Sequence, residues 1–148
     1  MSQAETVGPL DQAVGYALKR AATALRTSMD TALRPLDLTV PQYSCLEVLS
    51  QRPGLSNAEL ARSVFVTRQS MNLVLRGLQD RGLLTRPATA PHGRALPTTL
   101  TDEGRTLLHA ASKAVHTVQE RMLTPFSPAH RDRLLHDLDA CVTALAEE

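Results

Sequence analysis

The fold is decided by residues 56–94, which read SNAELARSVFVTRQSMNLVLRGLQDRGLLTRPATAPHGR. Ser56 and Glu59 form a capping-box pair, in which each side chain satisfies a backbone N–H at the start of a helix. A second start signal, Thr67, stands ahead of the apolar run Met71, Val74, Leu75 and Leu78. Gly82 is placed to end that second helix. Two helices joined by residues 63–66 predict a helix-turn-helix.

The second helix divides into an apolar face and a polar face. Advancing by about 100° per residue places its apolar run and the stem of Arg81 on one side. The other side carries Gln69 and Arg76, flanked by Asn72, Leu73 and Asp80, with Arg68 nearer the edge. Gln, Asn and Arg can hydrogen-bond base edges in a major groove, and Leu can contact a thymine methyl. The alternative is a solvated polar helix face.

Two strand candidates follow the second helix. Residues 83–86 predict a short strand that stops at Pro87, and residues 95–100 predict its antiparallel partner at a sheet edge, because of Pro97. The segment between them contains a proline and a glycine and predicts a turn. Arg94 near its tip is suited to a narrow minor groove. The helices and this β flap together predict a winged helix-turn-helix.

Charge is distributed unevenly along the chain. Residues 60–100 contain six arginines and one acid, giving +5, whereas the whole chain carries +1, so the remainder carries −4. A basic lobe on an acidic body is the electrostatic pattern of phosphate binding. Every basic residue in that lobe is arginine, which makes bidentate contacts better than lysine does.

The chain contains four sequence blocks in order: LTVPQY at 38–43, VTRQSMN at 66–72, LQDRGLL at 78–84, and RA at 94–95 leading to LTDEG at 100–104. These blocks resemble those of MarR-family transcriptional regulators. The resemblance implies a mostly α fold with a small antiparallel β wing, and a dimer joined by the N- and C-terminal helices. It also implies operator binding that a small ligand often releases. The predicted DNA contacts are Ser56, Thr67, Arg68, Gln69, Ser70, Asn72, Leu73, Arg76, His92 and Arg94.

Three positions depart from the family pattern. His92 stands where an acid usually braces the wing arginine, Phe65 lies in a turn where glycine is common, and Gln79 replaces an acid. None of these changes removes a base-reading group. A neutral His92 cannot pair with Arg94, which predicts a wing that orders on DNA and an affinity that rises as pH falls through about 6.5.

The rest of the chain predicts helices that need a partner. Residues 10–34 form one apolar-striped helix candidate, residues 41–51 a second that buries Cys45, and residues 101–122 and 128–146 two more. Leu108, Val115 and Val118 are interpreted as facing the dimer helices. We therefore expect one domain over residues 1–148, with dimerisation helices at 10–34 and 101–146, a winged lobe at 41–100, and a C2 homodimer.

Several other functions are weighed from residue types and spacing. A polar N-terminus and the absence of an 18-residue apolar run predict a cytoplasmic protein without a membrane partner. No nucleophile, phosphate-loop or metal motif suggests an enzyme, a cofactor or a metal site. The alternatives are a redox-sensing regulator acting through Cys45 and a winged helix that binds protein rather than DNA. The family's effector lies between the dimer helices and the lobe, which suggests a small aromatic or anionic molecule near Tyr16, Arg20, Met29, Tyr43 and His109.

Overall fold

The computed structural model describes residues 5–86 and 98–146, which contain six α-helices and two short strands. The helices are α1 (Val14–Leu33), α2 (Val40–Gln51), α3 (Asn57–Val64), α4 (Arg68–Asp80), α5 (Asp102–Met122) and α6 (Pro128–Ala146), and the strands are β1 (Leu84–Thr85) and β2 (Thr99–Leu100). The predicted order of helix-turn-helix, wing and flanking helices is confirmed. No helix among these residues is long and apolar enough to cross a membrane.

The first helix is shorter than the sequence predicts. Leu10–Gln12 form a separate 3₁₀ turn, and Ala13 adopts an extended backbone (φ −87°, ψ 117°) before α1 begins. An extended residue cannot lie inside an α-helix, so the expected helix over residues 10–34 starts four residues late. A second 3₁₀ turn, Arg34–Leu36, ends it near Pro35 as expected.

Hydroxyl caps start five of the helices. A Ser or Thr oxygen accepts the backbone N–H three residues later at Thr39, Ser56, Thr67, Thr101 and Ser127. Thr39 and Ser56 each complete a capping box, with Gln42 and Glu59 respectively. Pro41 is the second residue of α2 rather than the first, since the helix begins at Val40. The Ser56–Glu59 capping box and the Thr67 cap inferred from the sequence are therefore confirmed.

The core lies where α2, α3 and α4 meet the end of α1 and the base of the wing. Its fully buried side chains are Leu33, Cys45, Leu46, Leu60, Met71, Leu75, Leu78 and Leu84. Because α3 and α4 both contribute their apolar faces to this core, the helix-turn-helix is held rigidly against α2. The outer face of α4 is thereby directed to solvent.

Two dimer expectations meet different outcomes. Leu108 and Val118 are buried inside the chain, and Val115 packs against the same core, because α5 runs along α1 and α2. These three residues therefore pack within their own chain, and one of the helices that α5 contacts, α1, is an expected dimerisation helix. By contrast, α6 buries no side chain, and Leu135, Leu138, Val142 and Leu145 remain exposed along it.

The wing base is tied to the start of α5. Leu84 pairs with Leu100 and Thr85 with Thr99 in an antiparallel register. Thr101 caps α5 and also donates its hydroxyl to the Gly82 carbonyl oxygen at 2.7 Å. A Cβ on Gly104 would overlap the backbone carbonyl of Leu83. Only glycine therefore fits where α5 passes Leu83, the residue before β1. The strands are shorter than predicted within the described residues.

Candidate nucleic-acid interface

Helix α4 has one face fixed in the core and one face in solvent. Met71, Leu75 and Leu78 are fully buried, and Val74 packs beside them. Thr67 accepts the Ser70 N–H at 3.0 Å and holds the first turn in place. The face assignment made from the 3.6-residue period is confirmed for these apolar residues, because a helix packed against a core must direct its opposite face outward.

The polar residues predicted to contact DNA share that outward face. The exposed residues are Thr67, Arg68, Gln69, Ser70, Asn72, Leu73 and Arg76, and Ser56 is exposed at the start of α3. Leu73 is 65% exposed, so a leucine side chain stands in solvent among hydrogen-bonding groups. The side chains of Gln69 and Arg76 have no hydrogen-bond partner within residues 5–86 and 98–146. An amide, a guanidinium and an apolar contact on one rigid helix match the groups that read base edges.

Asn72 differs from its neighbours because another side chain holds it. The side-chain amide nitrogen (Nδ2) of Asn57, the first residue of α3, donates to Oδ1 of Asn72 at 2.9 Å. These residues are 15 positions apart in sequence, and only the packing of α3 against α4 brings them together. Sequence reasoning missed Asn57, since a half-buried asparagine beside a capping serine carries no distinctive pattern. The structure therefore adds Asn57 to the candidate interface.

The turn between α3 and α4 contains a strained residue. Phe65 has a positive φ of 65° at the C-terminal cap of α3, and its side chain is 91% exposed. The left-handed conformation favours glycine, and a bulky residue there is strained by about 1–2 kcal/mol. The turn nevertheless closes, since the Val66 N–H donates to the Ala61 carbonyl at 3.0 Å. The departure from glycine noted in the sequence leaves the helix-turn-helix intact.

The arginines of the basic lobe do not all face the same surroundings. Arg62, Arg68 and Arg76 are exposed, and Arg86 is half-buried. Arg81 instead turns back to the loop before α2, where its Nη1 donates to the Asp37 carbonyl oxygen at 2.6 Å and its Nη2 to the Leu36 carbonyl oxygen at 3.5 Å. The charge count of the sequence therefore includes one arginine with a structural role.

The wing tip lies outside the described residues. His92 and Arg94, the two predicted wing contacts, fall in residues 87–97, and their predicted roles remain predictions. Within the described part, the wing base is ordered by the hydrogen bond between the Thr85 and Thr99 hydroxyls, whose oxygens are 2.9 Å apart. The base projects from the same lobe as α4, beside its C-terminal end.

Among the cavities formed by residues 5–86 and 98–146, none described is lined by more than two of the five predicted effector residues. Tyr16 and Arg20 line an open groove of about 670 Å³ formed by residues of α1 alone. Met29 is half-buried against the core, and His109 is exposed on α5. Tyr43 is buried in α2. The effector set therefore stays a prediction.

Tyr43 belongs to a polar cluster that the sequence did not reveal. Its hydroxyl donates to Oε1 of Glu47 at 2.9 Å, and the Ser112 hydroxyl donates to the same oxygen at 2.9 Å. Burial, and then the hydrogen bond with Glu47, raise the pKa of Tyr43 to about 12. The four-residue spacing of Tyr43 and Glu47 is a signal for such a pair on one helix. Ser112 carries no comparable signal, and it links α5 to the winged lobe.

Cys45 does not have the environment of a reactive thiol. Cys45 has no exposed surface, and burial raises the pKa of its thiol to about 12. A redox-sensing thiol needs exposure and a lowered pKa, so this environment opposes the sensor alternative. Cys141 is exposed on α6. Residues 5–86 and 98–146 contain no group of three His, Cys, Asp or Glu side chains placed to hold a metal ion.

A helix-turn-helix with a solvent-facing polar second helix, followed by a paired β base, defines a winged-helix protein of the nucleic-acid-binding class. Comparison with protein families matches residues 36–95 to the MarR family. The HTH-type transcriptional repressor Rv2887 of Mycobacterium tuberculosis is 47% identical over 131 residues, covering 86% of this chain and 94% of that protein. The chain belongs to the MarR family of transcriptional regulators.

Solved structures agree with this assignment. The crystal structure of the Mycobacterium tuberculosis MarR family protein Rv2887 in complex with p-aminosalicylic acid is 42% identical, with a TM-score of 0.74 over 86% of this chain and 97% of that chain. The transcriptional repressor CouR bound to a 23-mer DNA duplex is 32% identical, with a TM-score of 0.81 over 93% of this chain and 97% of that chain. The resemblance stated from the sequence is thus confirmed.

Proposed function

We propose that this protein is a ligand-responsive transcriptional repressor that binds a palindromic operator as a homodimer. Helix α4 enters the major groove, and Arg94 of the wing enters the adjacent minor groove. The observation that carries the proposal is the outer face of α4, where Gln69, Asn72 and Arg76 stand exposed on a helix whose other face is buried. A small aromatic or anionic molecule releases the DNA. The protein acts in the cytoplasm and has no catalytic activity of its own.

DNA binding is supported by both chemistry and relatives. Exposed arginines of the lobe supply phosphate contacts, and the amides of α4 supply base contacts. The hydroxyls of Ser56 and Thr67 accept backbone N–H groups in their caps, which leaves each hydroxyl proton able to donate to a phosphate oxygen. The similar repressor CouR is seen bound to a DNA duplex. In this proposal, residues 41–100 bind DNA and the flanking helices join two copies.

The base contacts are tested by selecting bound sequences from a pool of random duplexes and then measuring affinity for the selected site. Gln69→Ala and Asn72→Ala should each weaken binding to that site by about 1–3 kcal/mol. Neither residue is charged, so binding to random DNA should change little. Gln79→Ala removes an exposed amide from the other end of α4 and serves as the control. Equal losses on selected and random DNA would contradict placement of α4 in the major groove.

Homodimerisation is supported by the exposed apolar residues of α6. None of the 19 residues of α6 is fully buried within its own chain, and most of its leucines would remain in water in a monomer. Leu138→Asp should shift the protein toward monomer or aggregate in sedimentation experiments. His136→Asp places the same charge on the opposite side of α6 and should leave the dimer intact. A wild-type protein that sediments as a monomer at micromolar concentration would exclude the two-half-site arrangement.

Ligand release is supported by the similar protein Rv2887, whose structure contains p-aminosalicylic acid. We expect an aromatic carboxylate to weaken operator binding here as well, with reciprocal weakening of ligand binding by the operator. Titrating p-aminosalicylic acid into the protein–operator complex tests this class. Benzyl alcohol, which lacks the carboxylate, is the control. If both compounds leave operator affinity unchanged, the effector class proposed here is wrong.

Two alternatives differ from this proposal in measurable ways. A protein-interaction module would bind a random duplex weakly and with little dependence on salt, whereas phosphate contacts make affinity fall steeply with salt. A sensor acting through Cys45 would lose operator binding on mild peroxide treatment in a Cys141→Ser background. The buried, high-pKa thiol of Cys45 favours the ligand-responsive regulator over that sensor.

A further inference from the structure

Within residues 5–86 and 98–146, Asn57 and Asn72 form the one side-chain hydrogen bond that joins α3 to the outward face of α4. Asn57 lies at the first position of α3, behind Ser56, and is half-buried. Its Nδ2 donates to Asn72 Oδ1 at 2.9 Å. An asparagine amide has an oxygen that accepts and a nitrogen that donates, and a hydrogen bond to one end fixes which end faces outward.

The direction of this hydrogen bond has a physical cause. The first N–H groups of a helix lack internal acceptors and give its N-terminus a partial positive charge. The oxygen of Asn57 is favoured near that charge at the start of α3, which leaves Nδ2 to face Asn72. Asn72 then uses its oxygen as the acceptor, and its own Nδ2 is the end that remains available for DNA.

We propose that Asn57 is a positioning residue that sets the base preference of Asn72 by fixing the orientation of its amide. The inference rests on the proposed placement of α4 in the major groove. With its oxygen turned toward Asn57, Asn72 presents its donor to the DNA, which suits the O6 and N7 acceptors of guanine or O4 of thymine. Cytosine offers only the donor N4 and is disfavoured. Adenine can accept at N7 but its N6 amino group finds no acceptor, so it ranks below guanine. An unrestrained asparagine would instead bind adenine through both ends of its amide.

The test reverses the hydrogen bond rather than removing it. In Asn57→Asp the carboxylate can only accept, so Asn72 must donate its Nδ2 and turn its oxygen toward the DNA. An acidic residue at the start of a helix is favourable, so the variant should fold, and thermal unfolding checks this. The added charge should weaken binding to all duplexes alike through repulsion of phosphate. Base preference is therefore compared within each variant and not between variants.

Selection from a random duplex pool gives the readout for full-length wild type, Asn57→Asp, Asn57→Ala and Asn72→Ala. The position whose preference disappears in Asn72→Ala identifies where Asn72 reads. At that position we expect guanine or thymine for wild type and adenine or cytosine for Asn57→Asp, with the other positions unchanged. Asn57→Ala should reduce discrimination there by about fivefold to tenfold, the value of one hydrogen bond. In an Asn72→Ala background, Asn57→Asp should change no preference.

Each other outcome overturns the inference. The inference fails if wild type selects adenine or cytosine at that position, or if Asn57→Asp keeps the wild-type base. A loss of preference spread over many positions would show that Asn57 supports the whole interface and not one amide. If wild type selects no motif at all, the proposed DNA-binding function fails and takes this inference with it. If wild type and Asn57→Asp select the same palindrome, this inference is refuted while the proposed DNA-binding function stands.

Discussion

Arg76 lies within α4 and Arg81 at its C-terminal cap, and although they carry the same charge the structure assigns them different roles. Arg76 is exposed on the outer face of α4 without a hydrogen-bond partner in the described residues, whereas Arg81 donates to the carbonyl oxygens of Asp37 and Leu36. Replacing each arginine with glutamine removes one positive charge and keeps a long polar side chain. The two variants therefore separate phosphate binding from structural support.

The two variants should differ both in the salt dependence of DNA affinity and in the free energy of unfolding. A phosphate contact contributes about 0.9 to the slope of log affinity against log salt, so losing Arg76 from both subunits should reduce that slope by about 1.8. Arg81→Gln should leave the slope unchanged. A hydrogen bond from a charged donor contributes about 1.5–3 kcal/mol when buried, and solvent exposure of Arg81 reduces this to about 1 kcal/mol of unfolding free energy. Arg76→Gln should change stability by less than about 0.5 kcal/mol.

Two assays check the pair. Fluorescence anisotropy of a labelled operator across a range of salt concentrations gives the slope for each variant, and urea unfolding gives the change in stability. The reasoning is refuted if Arg81→Gln lowers the salt slope as much as Arg76→Gln does, because Arg81 would then reach a phosphate. It is equally refuted if Arg76→Gln destabilises the fold while Arg81→Gln does not.

Three further predictions concern the fold and its buried groups. Gly104→Ala should destabilise the protein by about 1–3 kcal/mol in urea unfolding, because its methyl group would overlap a backbone carbonyl; unchanged stability would contradict that close approach. In a Tyr16→Phe variant, Tyr43 is the sole tyrosine, and its phenolate absorbance should appear with a midpoint of about 12 instead of 10.0. The stability that neutral Tyr43 contributes should be lost as pH rises from about 10 to about 12. An absorbance midpoint at the ordinary value of 10.0 would contradict the burial of Tyr43. At neutral pH an alkylating reagent should label Cys141 at once and Cys45 only after unfolding, since burial raises the Cys45 pKa to about 12; equal labelling rates would refute this.

The local features of this protein were readable from its sequence. The Ser56–Glu59 capping box, the Thr67 cap and the two faces of α4 all depend on residues within one helix. Such features follow from backbone geometry and side-chain period, which act over three or four residues. The family blocks then placed these elements in a winged helix-turn-helix. The break at Ala13 was missed, because an alanine carries no signal for leaving a helix.

Contacts between distant residues were decided by tertiary structure alone. Arg81 bonds a carbonyl 44 residues away, Ser112 reaches Glu47 over 65 residues, and Asn57 meets Asn72 over 15. The apolar spacing on α5 correctly marked a packed face, but only the fold shows that this face packs within its own chain. The physical reason is that charge, amide chemistry and hydrophobicity define what a side chain can bind, while the packing of helices determines which partner lies within reach.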